Sequence, residues 1–305
     1  MRTRLAAAVL GVASAATGCS QTPQASSLFA SRASRTLTIV SGETGQPVAD
    51  AWIGFGSARL RADVEGRVDL GPASGPVEVQ ADRFLVRATD LSEDPTVTLW
   101  PTRPDYPDEY VRTLLYKEAA STRDAGSSAP DGPLMRVTSG TVTVALEPAL
   151  WADVAARAAH ERAAAVLNEA TEGRVRFAAG PSAAGSVVFR ASVDGTATAA
   201  GALTYRDLRH SAVVGGRIVY ASLPAARSER FVAHELGHVL GLQHSSRATD
   251  LMYFRAAQEA AAAFSPHERL SIRLLLQRNA GNRYPDDGRA TVGASSTRTL
   301  SIVTD

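Results

Sequence analysis

The chain has 305 residues, enough for two modest domains that each bury a core. Its 32 basic and 31 acidic side chains nearly cancel to a net charge of +1, which gives no electrostatic footprint for nucleic acid. A single cysteine excludes a disulfide within the chain.

The first residues read as a targeting segment. Arg2 and Arg4 make a positive start, Leu5 to Val12 an apolar run, and Ala16-Thr17-Gly18 a small-residue approach to Cys19. Residues 1–18 resemble a bacterial lipoprotein signal, which implies cleavage before Cys19 and lipid on its thiol; Ala16 departs from that pattern, where Leu is commoner. An ordinary secretory signal cut nearby is the alternative. The apolar run is too short for a permanent membrane span. The first reading expects a chain anchored by lipid in the cell envelope, facing the periplasm or the cell surface, and the second a secreted one. Residues 19–35, rich in Ser, Ala, Gln and Thr, read as a flexible tether.

Residues 36–101 carry short strand-like runs at close spacing without helical periodicity: Leu37 to Val40, Trp52 to Phe55, Val64 to Leu70, Val77 to Gln80, Phe84 to Ala88 and Val97 to Trp100. A small all-β sandwich is expected. Thr44 to Ala51 with Asp63 to Val68 resembles the carboxypeptidase regulatory-like sandwich, which implies a spacer or docking module. Trp52 and Phe55 are expected in its core.

Pro101, Pro104 and Pro107 open a linker, 102–134, in which Tyr110 to Ala120 reads as a short helix or an extended arm. A second domain, 135–284, follows. Arg136 to Leu146 reads as a strand, and Pro148 starts a long Ala-rich helix that stops near Gly173. His160 on that helix is expected at the solvated surface. Strands are expected at Val175 to Phe177, Val187 to Phe189, Gly201 to Tyr205 and Arg217 to Ala221. A helix begins between Ala225 and Phe231, and Ser265-Pro266-His267-Glu268 starts the last one with a capping box. Residues 285–305 read as a tail.

The chemistry concentrates in H-E-L-G-H-V-L-G-L-Q-H, His234 to His244. On a helix, His234 and His238 share a face and can converge on one ion, with Glu235 placed to reach water beside it. Gly241 can end the helix at positive φ so that His244 swings back as a third ligand. Three imidazoles leave a fourth position of Zn²⁺ open, as catalytic sites do. The bound water would then ionise near pH 7, with Glu235 as general base.

This stretch resembles the metzincin metallopeptidases, whose third His is followed by a Met-containing turn. Here that turn is Asp250-Leu251-Met252-Tyr253-Phe254, and Ser245 and Tyr253 make the matrixin branch the most similar. The resemblance implies an α+β fold, a twisted mixed sheet on two long helices plus a C-terminal helix, with Met252 as an apolar floor beneath one catalytic Zn²⁺. It also implies a protein or peptide substrate, with Leu251, Tyr253 and Phe254 walling the pocket after the scissile bond. Phe254 stands where other branches carry a metal-proximal Tyr, so no tyrosine ligand is expected. Matrixin latency through a propeptide Cys has no counterpart here, and His160, His210 and His267 make no second zinc site. Ca²⁺ lacks a clear motif, since Asp194-Gly195 and Asp207 read equally as turn and surface residues. A monomer is expected. Two other functions stay open: a catalytically silent zinc-bearing adhesion or binding lipoprotein, and a zinc hydrolase of a non-peptide amide.

Overall fold

The computed structural model describes residues 35–73, 75–90, 95–102, 104–116, 131–138, 140–183, 185–197, 201–207, 212–254, 262–284 and 299–304. The expected signal, most of the tether, Cys19 and His210 lie outside them.

The N-terminal region is β-rich. Its strands are β1 (Thr36–Ser41), β2 (Trp52–Phe55), β3 (Ala58–Arg61), β4 (Arg67–Asp69), β5 (Pro76–Gln80), β6 (Arg87–Asp90) and β7 (Thr96–Leu99). They form two sheets, ordered β4-β1-β7 and β3-β2-β5-β6. Burial alternates along the strands: Leu37 and Ile39 point inward from β1, Val77 and Val79 from β5, and Glu78 outward. The inward residues of both sheets share one apolar core with Ile53, Val68 and Leu99. The same alternation corrects the expectation for Trp52. Because Ile53 faces the core, Trp52 faces out, 45% exposed, with the Arg61 guanidinium 5.6 Å from its ring centroid. Phe55, on the Ile53 side, does pack against the core. Strand β3 was not foreseen; its Arg59 and Arg61 mask the hairpin it makes with β2.

The segment expected as a linker contains α1 (Asp108–Tyr116). Six of its nine residues are buried: Tyr110, Val111, Thr113, Leu114, Leu115 and Tyr116. All but Thr113 join the apolar cluster of the second region, as do Leu85 and Trp100. The Trp100 indole N–H also donates to the Gln277 side chain, 3.1 Å away. Residues 108–116 are therefore core rather than connection.

The second region runs β8 (Gly140–Leu146), α2 (Pro148–Ala152), α3 (Val154–Ala170), β9 (Val175–Gly180), β10 (Val187–Val193), β11 (Gly201–Asp207), β12 (Ala212–Tyr220), α4 (Leu223–Arg227), α5 (Glu229–Leu240), α6 (Pro266–Gln277) and β13 (Thr299–Thr304). The mixed sheet has the order β13-β11-β12-β10-β8-β9. Its β12-β10-β8-β9 portion is parallel, and β11 and β13 join antiparallel. The expected tail thus returns, at 299–304, as a strand on the sheet edge. The expected single Ala-rich helix is two, because Asp153 adopts an extended conformation and caps α3, accepting the Ala156 N–H at 2.9 Å. No helix among the described residues is long and apolar enough to cross a membrane.

His160 is not at the surface. Its side of α3 faces β12, and only 1% of the residue is exposed. Nδ1 donates to the Ala156 carbonyl (2.8 Å), so Nε2 accepts from the Tyr220 hydroxyl (3.0 Å). This neutral tautomer satisfies both groups, and burial holds the imidazole below its ordinary pKa of 6.5. The unfolded chain takes up this proton first, so stability is lost as the pH falls below about 6.5. Denaturant unfolding from about pH 8 to about pH 5 should show that loss, and His160→Gln should unfold with a shallower pH dependence than wild type.

Candidate metal centre

Helix α5 begins at Ser228, whose side chain accepts the Phe231 N–H at 3.3 Å, and ends at Gly241. Gly241 has φ +124°, and a Cβ there would collide with the Met135 carbonyl, so both the turn and the close approach require glycine. The Gly241 N–H donates back to Gly237 and His238, and the Leu242 N–H to Gly237 (3.0 Å). The chain then reverses, bringing His244 against α5.

The three imidazoles converge. Ring centroids lie 4.7 Å apart for His234 and His238, 5.4 Å for His234 and His244, and 4.8 Å for His238 and His244. One nitrogen from each falls within 4.8 Å of the others. All three residues are buried. His234 Nδ1 donates to the Leu251 carbonyl at 2.8 Å, and His238 Nδ1 to the Leu242 carbonyl at 2.9 Å. A carbonyl can only accept, so each Nδ1 carries the proton and each neutral ring keeps its lone pair on Nε2. Those two Nε2 atoms are 3.1 Å apart. Lone pairs so placed repel unless a cation or a proton lies between them. Three buried imidazoles with two tautomers set from behind fit Zn²⁺.

Glu235 is buried beside His234. Near it, the Tyr220 hydroxyl is held protonated chiefly by burial, and further by the Glu235 charge. Met252 lies fully buried under α5. Gly237 makes that possible, since a Cβ there would overlap the Met252 sulfur.

The turn containing Met252 is fixed by two carboxylates. Glu268 accepts the backbone N–H groups of Leu251 (3.1 Å), Met252 (2.7 Å) and Ser265 (2.7 Å). Burial, with the Asp250 charge adding to it, outweighs those three bonds and raises its pKa above the usual carboxylate value. Asp250 accepts from the Tyr110 hydroxyl (2.6 Å) and the Ser245 hydroxyl on the same oxygen, Oδ2. Its carbonyl accepts from Arg230 at 2.9 Å. The Ser245 N–H donates to the Met252 carbonyl (2.7 Å), tying the turn to the third histidine.

Leu251, expected in a substrate pocket, is instead 1% exposed in the apolar core, pinned through its N–H by Glu268 and through its carbonyl by His234. Tyr253 and Phe254 are half-buried, with ring centroids 4.7 Å apart. Sequence reading left four contributors unassigned: Gly237, Asp250, Tyr110 and the Leu242 carbonyl. Only Gly237 carried a local signal, as a glycine inside a helix. Glu268 was visible as a cap, but not as the anchor of the turn.

Three convergent imidazoles, an adjacent buried glutamate and a methionine packed against α5 make a site able to hold a metal. Residues 193–272 match the family model Matrixin. The matched segment holds His234, Glu235, His238, His244 and Met252, so the chain carries a matrixin peptidase domain and is an enzyme, a zinc metallopeptidase. No curated protein matches it. Among solved structures, metalloproteinase-II from Bacteroides fragilis is similar at 11% identity, over 79% of this chain and 85% of that one, with a TM-score of 0.33.

Metal analysis of the purified chain should find one Zn²⁺ per molecule and little in His238→Ala. Gly237→Ala should displace Met252 and cost about 1–3 kcal/mol in denaturant unfolding, as overpacking of a filled core does.

Proposed function

We propose that the protein is a zinc-dependent endopeptidase that hydrolyses peptide bonds of proteins in a bacterial envelope or at the cell surface, held there by lipid on Cys19. The observation that supports the chemistry is the triad itself, with Nε2 lone pairs facing each other and Glu235 next to the first ligand.

Zinc, when bound, supplies Lewis acidity toward a scissile carbonyl and makes water nucleophilic near neutral pH. His234, His238 and His244 would hold it through ring nitrogens, and the Leu251 and Leu242 carbonyls keep two of those rings in the ligating tautomer. Glu235 accepts the proton of the attacking water and passes it to the leaving amine. Met252 supports the rings from below. Tyr253 and Phe254 follow Met252 in the chain and present partly exposed aromatic faces. They receive an apolar side chain on the leaving-group side of the scissile bond.

The anchoring reading is supported by the positive start and apolar run that end at the only cysteine. The β-rich region, read as a carboxypeptidase regulatory-like module, spaces the site from that anchor or docks a large substrate.

Glu235→Ala should keep its zinc and its fold, because Glu235 is not a ligand, yet lose about 10²–10⁴ in turnover with the proton acceptor gone. Peptide-library profiling should show a preference for Leu over Gly after the scissile bond worth about 1–3 kcal/mol. A charged residue favoured there would refute the pocket, and near-normal turnover of Glu235→Ala the mechanism. In detergent phase separation, wild type should partition with detergent and Cys19→Ser with the aqueous phase; equal partitioning would rule out the lipid anchor.

A further inference from the structure

Two of the three histidines need little help to meet, since His234 and His238 lie one turn apart on α5. His244 is different. Residues 242–250 follow Gly241 without helix or strand of their own, so cross-links from elsewhere must determine where its ring stands.

Helix α1 supplies two of them. The Leu114 carbonyl accepts the Gln243 N–H at 2.8 Å. The Tyr110 hydroxyl donates at 2.6 Å to Asp250 Oδ2, the oxygen that also accepts the Ser245 hydroxyl. Gln243 and Ser245 are the neighbours of His244 on either side, so α1 grips the ligand's backbone directly before it and through one carboxylate after it. The Tyr110 ring completes the contact: the Arg247 guanidinium lies 4.9 Å from its centroid, and His267 meets it edge-on at 6.0 Å.

We infer that Tyr110 is a positioning residue for the third metal ligand, its hydroxyl holding His244 in register with α5 through Asp250 and Ser245. The inference rests on the zinc reading of the triad. Its physical basis is the cost of a buried carboxylate. Asp250 is 1% exposed, and its Oδ2 is held between two hydroxyls. Without the Tyr110 donor, the carboxylate must turn toward other groups, and Ser245 turns with it. The ligand then samples positions off the metal, and binding must reorder it.

The test uses the full chain and apoprotein loaded with zinc alone. Zinc affinity is measured by chelator competition, the geometry of the site by the visible absorption of the cobalt-substituted protein, and stability by denaturant unfolding. Tyr110→Phe keeps the ring and removes only the donor. It should bind zinc about ten- to a hundredfold more weakly, the usual effect of losing a group that orients a ligand, and shift the cobalt bands. Tyr106→Phe is the control. Tyr106 is fully buried and its hydroxyl bonds Ser271 on α6 (2.9 Å), so the change should leave zinc affinity within about twofold whatever it does to stability. Ser245→Ala should reproduce the Tyr110→Phe loss, and the double variant should add little to either, because both act through one oxygen. It also serves if Tyr110→Phe does not fold. Wild-type zinc affinity and cobalt bands in Tyr110→Phe and Ser245→Ala would overturn the inference alone, as would equal zinc losses in Tyr106→Phe and Tyr110→Phe. Wild type that takes up no zinc would overturn the triad reading, and this inference with it.

Discussion

Facing lone pairs are the constraint around which this site is built. A metal site of three imidazoles needs every ring neutral, every ligating nitrogen bare and all three aimed at one point. The i, i+4 spacing of α5 sets the directions of two rings, but not which nitrogen is bare. That is decided from outside the helix, by the carbonyls of Leu242 and Leu251. Both carbonyls belong to irregular chain, so the protonation pattern at the site is only as firm as the loops behind it.

That need explains the polar structure beneath the site. Glu268 spends its carboxylate on three backbone N–H groups, two of them in the Met252 turn, and so fixes the carbonyl that orients His234. Asp250 gathers two hydroxyls, one from the segment that follows His244 and one from α1. Buried carboxylates are poor sources of net stability, because the cost of taking the charge out of water offsets most of what its partners return. Their value here is directional. An apolar core would hold the turn by shape alone, whereas these carboxylates specify which backbone atom faces which ring.

How far the sequence revealed this follows from the reach of each signal. His234, Glu235, His238, Gly241 and His244 are near neighbours, so their geometry follows from helix periodicity and one positive φ. The α6 capping box was legible for the same reason. His160 misled because its own helix shows polar neighbours, Glu161 and Arg162, while the partner that makes its burial tolerable is Tyr220, 60 residues on. A short helix was one of the two readings for Tyr110 to Ala120, but the burial of α1 was hidden because prolines precede it and a Gly- and Ser-rich stretch follows, a context that suggests a connection. Trp52 misled by composition, since an aromatic in a strand argues for burial until its neighbour Ile53 takes the inward face.

The bonds that hold the site and the fold around it span unusual lengths of chain: Tyr110 to Asp250 behind the third histidine across 140 residues, and, away from the site, Tyr106 to Ser271 across 165 and Trp100 to Gln277 across 177. Contacts between such distant segments form late, after much loop-closure entropy has been spent. The donor set is therefore incomplete in a nascent or extended chain, where the histidines are separate weak ligands. Metal loading becomes one of the last events of folding. It follows that the protein is charged with metal from the pool of whichever compartment it folds in, so its cofactor is chosen by geography as much as by affinity.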